Sequence, residues 1–180
     1  MKNTKFFWFE LSGAVLCLGL YAVLLNLYEL TGRSTINIVL GAVNGSVWER
    51  LKCLIIPYMA FGVLELLCLR APFKAIVSAK AAGLLGLIVL GFLLGNIRND
   101  YIYGAAVTAA GFAASYLLSG SKLELKQFFA LSVFFAALVF VCVISFTAFP
   151  PQFLPFRDPQ SGLYGVIPTD FDLGAVVLGL

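Results

Sequence analysis

The stretch LKQFFALSVFFAALVFVCVISFTAF, residues 125–149, decides the fold class, because it is long and almost entirely apolar. About 20 mostly apolar residues are enough for an α-helix to cross the hydrocarbon core of a bilayer. Four further segments meet this criterion, at residues 6–28, 51–69, 75–95 and 101–118. The sequence therefore predicts an all-α fold, an integral membrane bundle of five transmembrane helices.

The composition also points to a bilayer as the surrounding medium. Hydrophobic residues make up 61% of the chain and charged residues 12%, whereas about 25% of the residues in soluble domains are charged. Twelve Lys/Arg and nine Asp/Glu residues cannot coat a soluble domain of 180 residues. The net charge of +3 is small and its charges are scattered. The lipid bilayer is therefore a predicted partner, and nucleic acid is not.

The residue types give no support to metal or redox chemistry. The chain has no histidine, which removes the commonest metal ligand and general base. The cysteines form no C-x-x-C pair and lie in or beside apolar runs, so we interpret them as small hydrophobic residues. We expect no metal site and no cofactor. The four cysteines are Cys17, Cys53, Cys68 and Cys142.

The organisation of the chain is simple. No repeat or composition shift divides it, so residues 1–180 are predicted to form a single transmembrane domain. Residues 150–180 form a proline-rich C-terminal segment, for which we expect an extended path. Five spans place the two termini on opposite sides of the membrane. The bias of Lys and Arg between the two sides favours a cytoplasmic N-terminus and an outside C-terminus.

Small residues mark a packing seam in the fourth span. Gly104, Thr108, Gly111 and Ser115 are spaced 4, 3 and 4 residues apart, which places them on one helix face. Such faces let transmembrane helices approach closely. The seam serves either packing within the chain or a contact with another copy or another membrane protein.

The stretch Ser46-Val47-Trp48-Glu49 matches a capping box, the pattern of a helix start. In that motif the Ser46 hydroxyl accepts from the N–H of Glu49, and the Glu49 carboxylate accepts from the N–H of Ser46. Trp48 suits the headgroup level, and Lys52 is close enough to pair with Glu49. Capping alone is one interpretation of these residues.

The other interpretation is a polar pocket on the outer side. A C-terminal segment that folded back over the helix start would bring Asp158 and Tyr164 to Trp48 and Glu49, whereas a loose surface tail would not. The candidate ligand-binding residues are Asn44, Ser46, Trp48, Glu49, Arg50, Lys52, Asp158 and Tyr164.

Three ionisable residues lie within predicted spans at a similar depth. They are Glu10, Glu65 and Lys80. A lone charge at such a depth is costly, and pairing lowers the cost. We predict that Lys80 points inward and pairs with Glu65, Glu10 or both, in which case one carboxyl would tend to hold a proton. The alternative is snorkelling of Lys80 to the headgroups.

The pattern Asn44-x-Ser46-x-Trp48-Glu49-x-x-Lys52, followed by Pro57, resembles the first signature of a family of small bacterial multi-pass membrane proteins, a domain of unknown function. The second signature is similar too, with Phe149-Pro150-Pro151, Phe156-x-Asp158-Pro159 and Tyr164-Gly165. The family usually has histidine where this chain has Arg50. The resemblance implies a protein of the bacterial plasma membrane and carries no activity with it.

Three classes of function fit these features. The first is binding or transport of a small molecule, ion or lipid headgroup, with an outer site around Trp48 and an inner relay at Glu10, Glu65 and Lys80. The second is an accessory subunit that docks a larger complex through the seam. The third is a membrane-embedded enzyme acting on a lipid-linked group, with Glu49 as general base and Arg50 or Lys52 as anion clamp. The sequence gives no catalytic motif.

Overall fold

The computed structural model describes residues 4–31, 35–69, 73–119 and 125–166. Within these ranges the chain is helical and has no strand beyond one isolated bridge between Arg157 and Tyr164. The helices are α1 (Thr4–Leu30), α2 (Thr35–Leu40), α3 (Val47–Cys68), α4 (Phe73–Leu93), α5 (Asp100–Ser119) and α6 (Phe129–Ala148), with 3₁₀ turns at Leu125–Phe128 and Leu154–Phe156.

Five helices of the described chain are long and apolar enough to cross a membrane: α1, α3, α4, α5, and α6 with the end of the preceding turn. The predicted all-α fold class with five membrane-spanning helices is confirmed. The short helix α2 lies in the 31–46 connection and was not predicted. Of the C-terminal segment 150–180, the structure describes residues up to 166, and the remainder lies outside the described ranges.

Successive spans run antiparallel. Glu10 of α1 lies beside Ser115 of α5, and Tyr21, further along α1, lies beside Gly104 near the start of α5. Glu65 near the end of α3 pairs with a residue in the first half of α4. The N-terminal end of the bundle therefore contains Glu10, Glu65 and Ser115, and the opposite end contains the starts of α3 and α5.

Helices α3 and α4 form the centre of the bundle. About half of each candidate span is buried, 56% for α3 and 50% for α4, against 22% for α1 and 17% for α6. The peripheral helices expose large apolar side chains, among them Trp8 and Val15 of α1 and Leu131 and Phe134 of α6. Such an apolar exterior is costly in water and favourable in lipid.

The small-residue seam of α5 is buried inside the chain. Gly111 packs on α4, where a Cβ added to it would lie 3.1 Å from Leu87 Cβ and 3.3 Å from the carbonyl oxygen of Gly83. At Gly104 an added Cβ would clash with the ring of Tyr21 of α1. A larger side chain at either position would push neighbouring helices apart. The seam therefore serves packing within the chain, which is one of its two predicted roles.

The start of α3 is capped, although only half of the predicted capping box forms. Ser46 has an extended backbone and its Oγ accepts from the N–H of Glu49 at 3.3 Å. The predicted reciprocal bond from the N–H of Ser46 to Glu49 does not form, because that N–H donates to Asn44 Oδ1 at 2.8 Å. The Glu49 carboxylate instead accepts from the N–H of Val43 at 3.1 Å. Glu49 thus fixes the preceding loop as well as the helix end.

Candidate functional site

The two glutamates and the lysine predicted inside the membrane meet at one point. Lys80 Nζ of α4 lies 2.6 Å from Glu10 Oε2 of α1 and 2.6 Å from Glu65 Oε2 of α3. We call these three residues, together with Ser115, the intramembrane cluster. The prediction that Lys80 pairs with Glu65, Glu10 or both is confirmed, because Lys80 contacts both acids, and the alternative of snorkelling to the headgroups is wrong.

The cluster is almost entirely withdrawn from the surface. Glu65 is 0% exposed, Glu10 3% and Lys80 8%. Mutual attraction inside a protein offsets the cost of removing charges from water only when the geometry is close and the remaining polar atoms are satisfied. The contacts of 2.6 Å meet the first condition. The second condition is met for Glu10 but not for Glu65.

The two carboxylates differ in whether their second oxygen, Oε1, has a hydrogen-bond partner. Glu10 Oε1 accepts a hydrogen bond from Ser115 Oγ of α5 at 2.6 Å. Glu65 Oε1 has no hydrogen-bond partner among the described residues. With both carboxylates ionised, two negative charges face one ammonium, and the cluster carries a formal charge of −1. The free oxygen of Glu65 is the point at which a further positive charge can be accepted.

Aromatic rings surround the ammonium group. Lys80 Nζ lies 4.7 Å from the centroid of the Phe112 ring, 5.4 Å from Tyr58 and 5.6 Å from Phe61. These distances are within the range of cation–π attraction. The Tyr58 hydroxyl is held by donating to the carbonyl oxygen of Lys80 at 3.2 Å. The rings therefore stabilise the positive charge of Lys80.

Gly13 of α1 is what allows the rings to reach this position. A Cβ at Gly13 would clash with Phe61 and would lie 2.6 Å from Phe112 Cε1. The absence of a side chain there lets α1 approach α3 and α5 closely enough for Glu10 to meet Lys80 and Ser115. Sequence reasoning did not include Ser115 in the cluster. Its place on the small-residue seam, on the face that turns inward, was the available signal.

The helix-start motif, residues 44–52, mainly holds together the end of the bundle that contains the starts of α3 and α5, which we call the outer end after its predicted orientation. Lys52 Nζ lies 2.7 Å from Glu49 Oε2 and donates to the carbonyl oxygen of Ile38 at 2.9 Å. The predicted pairing of Lys52 with Glu49 is confirmed. Both side chains are buried, Lys52 fully so. Together they tie the α2 connection to the start of α3.

Arg50 reaches in a different direction, to the α4–α5 turn. Its Nη1 donates to the carbonyl oxygen of Ile97 at 2.7 Å and its Nη2 to that of Gly95 at 2.6 Å. Nη1 also lies 3.2 Å from Asp100 Oδ1, and the guanidinium stacks 4.4 Å from the centroid of the Tyr103 ring. Arg50 therefore closes the turn between two spans. It does not face the segment that contains Asp158.

The C-terminal segment folds back over the start of α3. Asp158 Oδ1 accepts from the N–H of Gly45 at 3.0 Å, and Asn44 Nδ2 donates to the carbonyl oxygen of Gly165 at 2.8 Å. Trp48 stacks on Phe156 with centroids 5.2 Å apart. The structure thus brings this segment to Asn44, Gly45 and Trp48, and Tyr164 packs at the edge of the same apolar core. Glu49 turns away from it, toward Val43.

Asp158 is held in its ionised form. Burial acts to raise its pKa, but hydrogen bonds from the backbone and hydroxyl of Ser161 and from the N–H of Gly45 outweigh burial, and the pKa lies below its ordinary value. Hydrogen bonds to a carboxylate favour the charged form. Asp158 therefore behaves as a clamp between the C-terminal segment and the loop before α3. A ligand-binding role for the eight outer residues stays a prediction.

The described residues contain no group of three or more His, Cys, Asp or Glu side chains that could hold a metal ion. All four cysteines, which lie in the described ranges, are free thiols. The buried charged groups in these ranges are therefore carboxylates, the ammonium groups of Lys52 and Lys80 and the guanidinium of Arg50, accompanied by hydroxyls.

Five apolar helices, with their charged groups paired in the interior, indicate a multi-pass helical membrane protein. The chain belongs to a family of unknown function, DUF6512, whose match extends over residues 2–109. That region includes the first signature at residues 44–57 and ends before the second at residues 149–165. No curated protein and no solved structure matches the chain.

Proposed function

We propose that this protein takes up a proton at the intramembrane cluster and carries it across the membrane. The observation that supports this most directly is the imbalance of the cluster, where two buried carboxylates share one ammonium and Glu65 Oε1 is left without a hydrogen-bond partner among the described residues. One bound proton would bring the formal charge of the cluster from −1 to zero. Ionisable groups inside membrane spans commonly serve proton relays.

A proton fits the cluster better than a metal cation does. A hard cation needs several oxygen ligands at once. Here the space between the carboxylates is filled by Lys80 Nζ, and the second oxygen of Glu10 is engaged by Ser115. A proton needs only one lone pair, which Glu65 Oε1 provides. The neighbouring titratable groups are Cys17 and Tyr58, and the Tyr58 hydroxyl is already held by a backbone carbonyl.

The proposal is tested with purified protein in liposomes that contain a pH-sensitive dye, with a potassium gradient and valinomycin to drive proton entry. We expect wild-type liposomes to acidify faster than protein-free liposomes. Glu65→Gln removes the accepting carboxylate and should return the rate to that of protein-free liposomes. Ser115→Ala, which frees Glu10 Oε1, should change the rate. Ser132→Ala is a matched control, because its hydroxyl bonds the backbone carbonyl of Phe128, just before α6, and no residue of the cluster.

Two outcomes would contradict the proton proposal. Wild-type liposomes that acidify no faster than protein-free ones would remove proton carriage. Uptake of labelled sodium that Glu65→Gln abolishes, without any proton flux, would assign the cluster to a metal cation. Infrared spectra supply an independent readout, since a protonated carboxyl absorbs separately from a carboxylate. A protonated-carboxyl band that appears on acidification and is missing in Glu65→Gln is the expected result.

We further propose that the chain lies in a bacterial plasma membrane as one domain, with its N-terminus in the cytoplasm and its C-terminus outside. The Lys and Arg distribution in the sequence supports this orientation. A reporter tag fused to each end in turn, followed by labelling of intact cells with a membrane-impermeant reagent, tests it. Labelling of the C-terminal tag alone is expected. Labelling of the N-terminal tag alone would reverse the orientation and leave the proton proposal standing.

A further inference from the structure

Five buried polar atoms outside the cluster have no hydrogen-bond partner among the described residues: the hydroxyls of Tyr21, Ser78 and Thr108, Arg50 Nε and Trp48 Nε1. Tyr21 lies on α1 and Thr108 on α5. Tyr21 and Thr108 are each 1% exposed. A buried hydroxyl without a partner is unfavourable, and an apolar side chain of similar shape would avoid that cost. Two such hydroxyls, those of Tyr21 and Thr108, lie on helices that pack against each other.

Tyr21 and Thr108 lie along the α1–α5 interface, displaced from the cluster toward the end of the bundle that contains the starts of α3 and α5. Tyr21 follows Glu10 by eleven residues on α1, which is roughly 16 Å along the axis at about 1.5 Å per residue and nearly the same helix face. Thr108 precedes Ser115 by seven residues on α5, which is roughly 10 Å. Because α1 and α5 run antiparallel and Tyr21 contacts Gly104, Thr108 lies at a level between the cluster and Tyr21.

At the start of α5 the α1–α5 interface reaches the surface of the protein. Tyr103, next to Gly104, stacks against the guanidinium of Arg50 at 4.4 Å from its ring centroid. Arg50 pairs with Asp100 at 3.2 Å, and the Asp100 side chain is 47% exposed. A line of polar groups thus extends from a carboxylate in contact with solvent to the buried carboxylates of Glu10 and Glu65.

We infer that the α1–α5 interface is the path by which a proton passes between Asp100 at the outer end and the intramembrane cluster, by way of Tyr21 and Thr108. This inference rests on the proposed function. A hydroxyl can donate and accept at once, so it can take a proton from one neighbour and release one to the next. The spacing of the groups exceeds hydrogen-bond reach, so proton transfer between them requires water molecules to enter the interface.

Other hydroxyls nearby are less suited to this role. The Tyr58 hydroxyl donates to the carbonyl of Lys80 at 3.2 Å, and the Tyr103 hydroxyl donates to that of Gly91 at 3.1 Å. Each is therefore fixed by a backbone partner. Cys17 lies on the same face of α1 and its thiol is buried, but a thiol is a weak donor and acceptor. The hydroxyls of Tyr21 and Thr108, in contrast, have no partner among the described residues; the Ser78 hydroxyl also has none there, but it belongs to α4.

The test uses the full-length protein in liposomes and replaces only the hydroxyls. Tyr21→Phe and Thr108→Val keep the shape of each side chain, and the double variant should slow proton entry by at least about tenfold. Thr147→Val and Tyr101→Phe are matched controls, since Thr147 bonds a carbonyl within α6 and Tyr101 is exposed. Thr108→Ala removes the same hydroxyl with a smaller residue and serves if the valine variant does not fold.

The outcomes separate the path from the cluster. We expect the double variant to lose flux while its infrared band for the protonated carboxyl persists at equilibrium, because the cluster itself is intact. Flux equal to that of Thr147→Val and Tyr101→Phe would overturn the path and leave the proposed function in place. Absence of both flux and the carboxyl band in the wild-type protein would overturn the proposed function, and the path with it.

Discussion

At the scale of single residues, Lys80 compensates the negative charges that are buried in the bundle. Its ammonium lies 2.6 Å from each of two buried carboxylates. Removing one partner of a buried ion pair leaves charge uncompensated, which typically costs about 3–5 kcal/mol. We expect Lys80→Met to lower the free energy of unfolding in detergent by an amount of this order. Denaturant titration followed by circular dichroism measures the change.

Two further variants make the Lys80 prediction specific. Lys74→Met removes an exposed lysine of the same helix and should leave the unfolding free energy nearly unchanged. Adding Glu10→Gln and Glu65→Gln to Lys80→Met removes all three charges and should recover part of the lost stability, because no uncompensated charge remains. A Lys80→Met protein as stable as wild type would show that the ion pairs do not stabilise the fold.

Arg50 shows how neighbouring residues of the helix-start motif separate in space. In the sequence it stands between Glu49 and Lys52. Residues three apart share a helix face, whereas adjacent residues point about 100° apart. Glu49 and Lys52 therefore meet at 2.7 Å, while Arg50 binds the α4–α5 turn. Closeness in sequence was a poor guide to direction around the helix.

At the scale of elements, the five long helices were predictable because span length and apolar content suffice to identify a membrane helix. The short helix α2 was not, since its six residues lie in a connection with no periodic signal long enough to detect. The meeting of Glu10, Glu65 and Lys80 could be proposed from their common depth and from the cost of lone charges. Depth alone does not determine how α5 is rotated about its axis. That rotation decides that Ser115 is the fourth member of the cluster and that Phe112 is the nearest ring.

The contacts of the C-terminal segment at the outer end were also beyond prediction from the sequence. That the C-terminal segment returns to the start of α3 was one of two interpretations of the sequence, the other being a loose surface tail. Two of the contacts that hold it pair a candidate residue with one of little or no polar signature, Asp158 with Gly45 and Trp48 with Phe156. A backbone N–H and an apolar ring are available almost anywhere in a chain. Their use here follows from the tertiary arrangement and could not be derived from residue type.

At the scale of the whole molecule, the C-terminal segment closes the outer end of the bundle through Asp158 and the Trp48–Phe156 stack. Hydrogen bonds to a charged group contribute about 1.5–3 kcal/mol each. The pKa of Asp158 is lowered in the folded protein from an ordinary value of 3.8. A carboxylate with a lowered pKa stabilises the docked state above its ordinary pKa, and this contribution is lost as the pH falls through the folded value.

Docking of the C-terminal segment should therefore persist at neutral pH and weaken once the pH falls below about 4. Trp48 reports on it if Trp8, the exposed second tryptophan, is replaced by phenylalanine. In the Trp8→Phe protein we expect Trp48 emission to move to longer wavelength on acidification, as Phe156 leaves the indole and water replaces it. Adding Asp158→Asn should produce part of this shift at neutral pH and remove its dependence on acid. An acid-induced shift of the same size in the Asp158→Asn protein would assign the transition to another group, and the outer end would then be closed by apolar packing alone.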